Sequence, residues 1–226
     1  MTEVNYLESL NPLQYESVCS TEGPNLIIAG AGTGKTKVLT TRVAHIIDNN
    51  LAFPSQILCV TFTNKAAREM SERVQKLVSQ NMKKMPWMGT FHSIGAKIIR
   101  NHAEVIGLKQ SFTILDKDDQ LSLIKQIIKA ENLDQSQFSP KLIQSKIDHW
   151  KNKALNPNDI KSESLDNLVD EKSLSIYKIY QARLFEINCL DFGDLLLQCI
   201  NLFKVPDIHK RYSNNFKYIH VDEYQD

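Results

Sequence analysis

Four of the eight glycines, Gly23, Gly30, Gly32 and Gly34, fall within twelve residues, and the last of them is followed by Lys35 and Thr36. In the run Ala29-Gly30-Ala31-Gly32-Thr33-Gly34-Lys35-Thr36 the glycines let successive backbone N–H groups turn toward one anion. A helix opening at Lys35 adds the partial positive charge of its N-terminus. The Lys35 ammonium then reaches the outer phosphates of a nucleoside triphosphate, and the Thr36 hydroxyl ligates Mg²⁺. The strict pattern of such a loop begins with Gly; here Ala29 stands in that place and adds one methyl group. A glycine-rich turn followed by a solvated lysine is the plainer alternative, but it explains neither the preceding apolar run nor the following helix.

A loop of this kind needs an acidic partner at the end of another strand. Asp222-Glu223 follows the strand-like Tyr218-Ile219-His220-Val221 and supplies it. The Asp holds Mg²⁺ through water and the Glu polarises the attacking water. His220 reads as a packed side chain rather than a catalyst.

The elements that position these groups alternate. Leu26-Ile27-Ile28-Ala29 suits a buried strand, and Val38, Leu39, Val43, Ile46 and Ile47 mark a helix that stops near Asn49-Asn50. A second strand, Ile57–Phe62, leads into a helix from Asn64 to about Ser79 whose apolar positions keep the 3.6-residue period. Pro86–Thr90 reads as a third strand and His92–Ile106 as a helix. This alternation predicts a mostly parallel sheet with helices on both faces. From Asp116 to about Phe203 the pattern is helical with little strand signal, with helices predicted to open at Asp116-Lys117-Asp118-Asp119 and to cover 140–152, 172–187, 191–203 and 206–214. The expected organisation is an α/β part over 1–93, a helical insertion over 94–214, and a return to the α/β part over 215–226.

Composition bounds the remaining choices. The 226 residues are 42% hydrophobic and 23% charged, with a mean hydropathy of -0.31 and a net charge of +1, values of an ordinary globular chain. No apolar run approaches the ~20 residues of a membrane helix, and Met1-Thr2-Glu3-Val4-Asn5 does not read as a signal peptide. Cys19, Cys59, Cys189 and Cys199 form no C-x-x-C pair, which speaks against zinc and fits a reducing, cytoplasmic compartment. The small net charge does not exclude nucleic acid, because residues 1–113 carry 12 Lys and Arg against 8 Asp and Glu, while 114–226 carry 15 against 18.

Six ordered segments together resemble the UvrD/Rep-type DNA helicases of superfamily one. Leu10-Asn11-Pro12-Leu13-Gln14 resembles the family's Q motif, and the phosphate loop follows it. Thr61-Phe62-Thr63-Asn64-Lys65-Ala66-Ala67 and Gly89-Thr90-Phe91-His92-Ser93 are similar to its two motifs on the single-stranded DNA side. Asp191-Phe192-Gly193-Asp194-Leu195-Leu196-Leu197 is similar to a segment near the end of the helical insertion. Asp222-Glu223-Tyr224-Gln225-Asp226 matches the acidic motif. The resemblance implies a P-loop RecA-like fold, ATP and Mg²⁺ as cofactors, DNA strands and duplex junctions as substrate, and movement in the 3'-to-5' direction.

It also distributes roles. Gln14 would read adenine, for which its amide offers both donor and acceptor; otherwise it is a solvated residue at a helix start. Lys35, Asp222, Glu223 and Gln225 would carry the chemistry. Phe62, Thr63, Asn64, Thr90, Phe91 and His92 would face DNA, where Thr63 and Asn64 equally suit a helix cap. Phe62 and Trp87 are both able to stack on bases; the core is the preferred place for Trp87, and Phe62 stays open. His92 meets a phosphate or base, or is structural. Lys37 would bind nucleotide together with Gln14 and the loop from Ala29 to Thr36; it stands where relatives commonly carry Arg, keeping the charge without the planar fork, and Arg42 reads as a helix-surface residue. A second motor domain of the same parent chain would supply the arginine finger and the rest of the DNA track. The reading therefore expects residue 226 to be a cut, with ATP binding but little hydrolysis and no unwinding by these residues alone. A recombination-type helicase–nuclease motor and a non-catalytic nucleotide- or DNA-binding module are the alternatives.

Overall fold

Residues 6–78, 85–161 and 168–225 are described by the computed structural model. They fall into two compact units, Met1–Ile94 with Lys210–Asp226, and Gly95–His209. The expected helix end at Ser79 and the final motif residue Asp226 lie outside the described residues.

In the first unit, β1 (Ile57–Thr61) is flanked by β2 (Met88–Thr90) and β5 (Tyr218–Val221), all parallel. The register sets Thr61 beside Thr90 and Val60 beside Val221, so the carboxyl ends of all three strands open on one edge. Four of the five β1 residues are buried, the pattern of a central strand covered on both faces. Val43, Ala44, Ile46 and Ile47 of α2 (Lys35–Asp48) pack with Ile57 and Cys59 of β1 and with Met70 and Val74 of α3 (Asn64–Leu77). The 3.6-residue apolar period of α2 and α3 is what aims these side chains at the sheet. A short helix, α1 (Pro12–Cys19), is capped by Asn11, whose side chain accepts from the Gln14 N–H, so Gln14 does stand at a helix start.

One expected element is absent. Leu26-Ile27-Ile28-Ala29 forms no strand, and Leu26, Ile27 and Ile28 are 75%, 41% and 90% exposed. An apolar run becomes a central strand only when ladder partners and packed faces surround it. Among the described residues none is hydrogen-bonded to it as a strand, and β5 likewise presents Ile219 at 62% exposure.

The second unit is helical, as expected, but it contains two short strands that the sequence reading did not foresee. β3 (Thr113–Leu115) and β4 (Cys189–Asp191) pair in parallel, in register Thr113–Cys189 to Leu115–Asp191. Their signal is three residues each, too short for a period-2 pattern to stand out. Around them, α5 (Lys117–Ala130), α6 (Pro140–Asn152) and α7 (Leu168–Glu186) bury Ile124, Ile127, Ile128, Ile143, Ile147, Tyr177 and Tyr180 in one core. Asp116 caps α5 by accepting from the N–H groups of Asp118 and Asp119. The helix α8 (Phe192–Phe203) begins directly after β4. The predicted helix over His92–Ile106 is α4 (Phe91–Asn101) followed by a separate 3-10 turn, Ala103–Ile106. α9 (Pro206–Asn215) leads back to β5.

Candidate functional site

The phosphate loop connects the exposed run 26–29 to α2. Gly32 and Gly34 take left-handed backbone, with φ of 77° and 91°, a conformation that costs side-chain-bearing residues free energy. Ala29 does not, so its methyl departs from the strict pattern without breaking the turn. The loop is closed by the Thr33 hydroxyl donating to the Gly30 carbonyl at 2.7 Å, while Ala31 is exposed at its rim. Gly34 caps α2, and its carbonyl accepts from the Val38 N–H at 2.9 Å. The first turn of α2 carries Lys35, Thr36 and Lys37, with no acid to oppose an anion.

Lys35 Nζ donates to the Ala29 carbonyl at 3.3 Å and stands 4.0 Å from Glu223 Oε1, across 188 residues of sequence. The acidic motif reaches this point because β5 runs parallel to β1, whose Val60 carbonyl accepts from the Asp222 N–H at 2.9 Å. Glu223 takes left-handed backbone, φ 51°, and accepts from Gln225 Nε2 at 2.6 Å. Burial and the neighbouring Glu223 raise the Asp222 pKa above the ordinary carboxylate value, with Lys35 opposing. A cation arriving beside Asp222 would reverse that shift.

Gln14 lies against the same loop, donating through Nε2 to the Thr33 carbonyl at 3.0 Å. Lys37 extends along α1 and donates to the Ser9 carbonyl, just before the Leu10–Gln14 segment. Arg42 corrects an expectation: it is only 7% exposed, and its guanidinium donates to the Ser17 carbonyl at 2.6 Å. One turn of helix carries it under α1 rather than into solvent, and no local pattern announces that.

The two segments assigned to DNA leave the neighbouring carboxyl ends of β1 and β2. Phe62 and Phe91 follow the paired Thr61 and Thr90, and they are 65% and 45% exposed. Thr63 is the cap of α3, its hydroxyl accepting from the Ala66 N–H at 3.1 Å, and Asn64 is the exposed first helical residue. Thr90 is buried, and its backbone and hydroxyl exchange hydrogen bonds with Ser93. His92 is exposed beside Phe91. Trp87 is half-buried and packs edge-on against Tyr212 and Phe216, with centroids 5.7 Å and 5.2 Å away. His220 is buried in β5 with neither ring nitrogen hydrogen-bonded.

The residues fit a magnesium nucleotide. Nothing lies within 4 Å of where a Cβ on Gly32 would stand, so that side of the loop is open to an anion. Thr36 and Asp222 offer oxygen donors, the ligand type a hard divalent cation takes. Among the described residues no group of three or more His, Cys, Asp or Glu is placed to hold a metal ion by itself. No helix among them is long and apolar enough to cross a membrane.

A parallel sheet with a glycine-rich loop entering a helix and an acidic pair at a neighbouring strand end defines a P-loop protein of the RecA-like α/β class. The family description "UvrD/REP helicase N-terminal domain" matches residues 10–226, and the chain belongs to that family. It is 47% identical over 221 residues to the ATP-dependent DNA helicase PcrA of Staphylococcus aureus, covering 97% of this chain and 30% of that protein. With PcrA of Leuconostoc citreum it shares 45% identity over 218 residues, 96% of this chain and 29% of the relative. The chain thus spans about a third of the length of these relatives.

Proposed function

We propose that this chain is the ATP-binding front part of a DNA helicase motor, with residues 1–93 and 215–226 forming the motor domain and 94–214 its helical insertion. The observation that carries the reading is the 4.0 Å approach of Lys35 to Glu223, which joins the phosphate loop to the acidic motif at one sheet edge. Lys35 and the N–H groups of the loop hold the triphosphate, and Thr36 and Asp222 hold Mg²⁺. Glu223, oriented by Gln225, polarises the attacking water. Bound Mg²⁺ supplies neutralisation of the phosphate charge. Lys37, whose ammonium donates to the Ser9 carbonyl, adds a second positive charge beside the triphosphate in the first turn of α2.

Single-stranded DNA runs over the carboxyl ends of β1 and β2. Phe62 and Phe91 present ring faces to bases there, each stacked base being worth about 1–3 kcal/mol. Thr63, Asn64 and His92 contact phosphates, and Thr90 shapes the turn that presents Phe91 and His92. In the parent protein a second motor domain completes the ATP site, and nucleotide-driven closure moves the pair 3' to 5' along the strand in repair or replication. These residues alone bind ATP and DNA without unwinding.

Titration of the chain with a fluorescent ATP analogue and Mg²⁺, beside Lys35→Ala, tests the reading. Saturable binding that Lys35→Ala abolishes while melting is unchanged is the expected result. Equal affinity in the two proteins would overturn the phosphate-loop assignment. Strand separation by the chain alone would overturn the claim that it does not unwind.

A further inference from the structure

The structure gives Gln14 a contact that base recognition does not require. Its amide is used at both ends: Oε1 accepts from the Asn11 N–H at 3.1 Å, and Nε2 donates to the Thr33 carbonyl at 3.0 Å. Thr33 lies nineteen residues away, in the turn between the two left-handed glycines. A trans peptide is planar, with its carbonyl and N–H on opposite sides. Tying the Thr33 carbonyl to Gln14 therefore aims the next N–H, that of Gly34, away from Gln14. This N–H is one of the donors a phosphate loop must point at its anion. The approach is close as well: a Cβ on Gly34 would lie 2.9 Å from Gln14 Nε2. Only glycine allows the amide to sit there, independently of the left-handed φ of 91°.

The position of Gln14 is itself held. It is the third residue of α1, where the Asn11 side chain accepts from its N–H at 2.9 Å while Gln14 Oε1 returns a bond to the Asn11 N–H. This reciprocal capping box fixes the start of the helix. The Lys37 ammonium on the Ser9 carbonyl ties the segment leading into α1 to α2, and the Arg42 guanidinium on the Ser17 carbonyl ties the last turn of α1 to it. α1 is thus a braced support whose one amide reaches the loop.

We propose that Gln14 is a positioning residue for the phosphate loop, acting on the triphosphate through Thr33 and Gly34 irrespective of the base. This rests on the nucleotide-binding reading above. It is separable from adenine recognition because inorganic tripolyphosphate has the phosphates and no base. Losing one half-exposed hydrogen bond from a preorganised loop weakens tripolyphosphate binding about three- to tenfold.

The test compares the unsubstituted chain with Gln14→Met by isothermal titration with Mg-tripolyphosphate and with Mg-ATP, and follows thermal melting of both. Gln14→Leu takes its place if the Met variant does not melt cooperatively. Weaker tripolyphosphate binding at unchanged melting temperature is expected, together with faster hydrogen exchange at the Gly34 amide. Tripolyphosphate affinity within twofold of the unsubstituted chain, with only ATP weakened, would leave Gln14 as a base reader and overturn the proposal. No binding of either ligand by the unsubstituted chain would instead overturn the nucleotide reading, and this proposal with it.

Discussion

Lys151 Nζ lies 2.8 Å from Asp194 Oδ1, and neither side chain has any solvent exposure. The same ammonium is 2.7 Å from Asp191 Oδ2, so one buried cation serves two buried carboxylates. Tyr180 donates its hydroxyl to Asp191 at 2.8 Å, and Gln181 Nε2 donates to Asp194 at 3.1 Å. These contacts join α6, α7 and the start of α8, where Asp191 and Asp194 form a reciprocal capping box. Buried charges cost desolvation energy that only good partners offset, so removing one partner is more damaging than removing the whole cluster.

Lys151→Met should therefore destabilise the chain by about 3–5 kcal/mol, because two buried carboxylates lose the cation they share. Gly193→Ala should destabilise it by about 1–3 kcal/mol, since its new Cβ would meet Lys151 Cδ at 2.9 Å. Urea unfolding followed through Trp150 measures both; a Lys151→Met midpoint equal to that of the unsubstituted chain would refute the first.

The cluster has one negative charge in excess, and its proton affinity reflects that. Burial raises the Asp194 carboxyl to about 6, with Lys151 opposing and Asp191 adding to the rise. Burial also works against ionised Asp191, yet Lys151, the Asp194 N–H and Tyr180 hold it below the ordinary value. A carboxyl with a raised folded pKa contributes stability that is full below its unfolded value and is lost as pH rises through the folded one. The Trp150 transition should thus shift to higher urea on going from pH 7 to pH 5. Asp194→Asn should flatten this dependence, and an undiminished slope in that variant would assign the proton elsewhere.

His220 gives the opposite sign. Burial, then the nearby Arg42, pushes its imidazole down to about 4. As pH falls below the ordinary 6.5 the unfolded chain binds the proton first, so stability declines until the folded ring titrates. Trp87 and Trp150 are the only two tryptophans, one in each unit. In single-tryptophan variants, acidification from pH 7 to pH 5 should lower the Trp87 transition while raising that of Trp150. His220→Leu removes two unpaired polar atoms and should leave stability at pH 7 equal or higher. A large loss at pH 7 in that variant would mean the ring has a partner.

Thiol reactivity should distinguish the four cysteines. Cys59, Cys189 and Cys199 are buried, and burial pushes the thiols of Cys59 and Cys199 up to about 12. Cys19 at the end of α1 is only half-buried. An aromatic disulfide reagent at pH 8 should modify one thiol quickly in the folded chain and all four in urea. Mass mapping of the fast adduct to any residue but Cys19 would contradict the packing.

What the sequence determined alone was the chemistry whose cause is local. The Gly32 and Gly34 positions need left-handed backbone, Lys35 must open a helix, and Asp222 must end a strand; each is a property of a few adjacent residues. The bounds of α6 and β5 follow for the same reason, from Pro140 and from a short apolar run ending in acids. The tertiary structure decided everything that depends on what covers a side chain. Leu26-Ile27-Ile28 is as apolar as β1 yet stands exposed, because burial is conferred by neighbours. Arg42 is charged yet sealed under α1, and Lys151, with no acid of its cluster nearer than forty residues along the chain, is the centre of a core. The Gln14 amide illustrates both halves. Its residue type and capping position are written in the local sequence, but its hold on Thr33 exists only because α1 folds back against the loop, where free energy depends on proximity in space rather than along the chain.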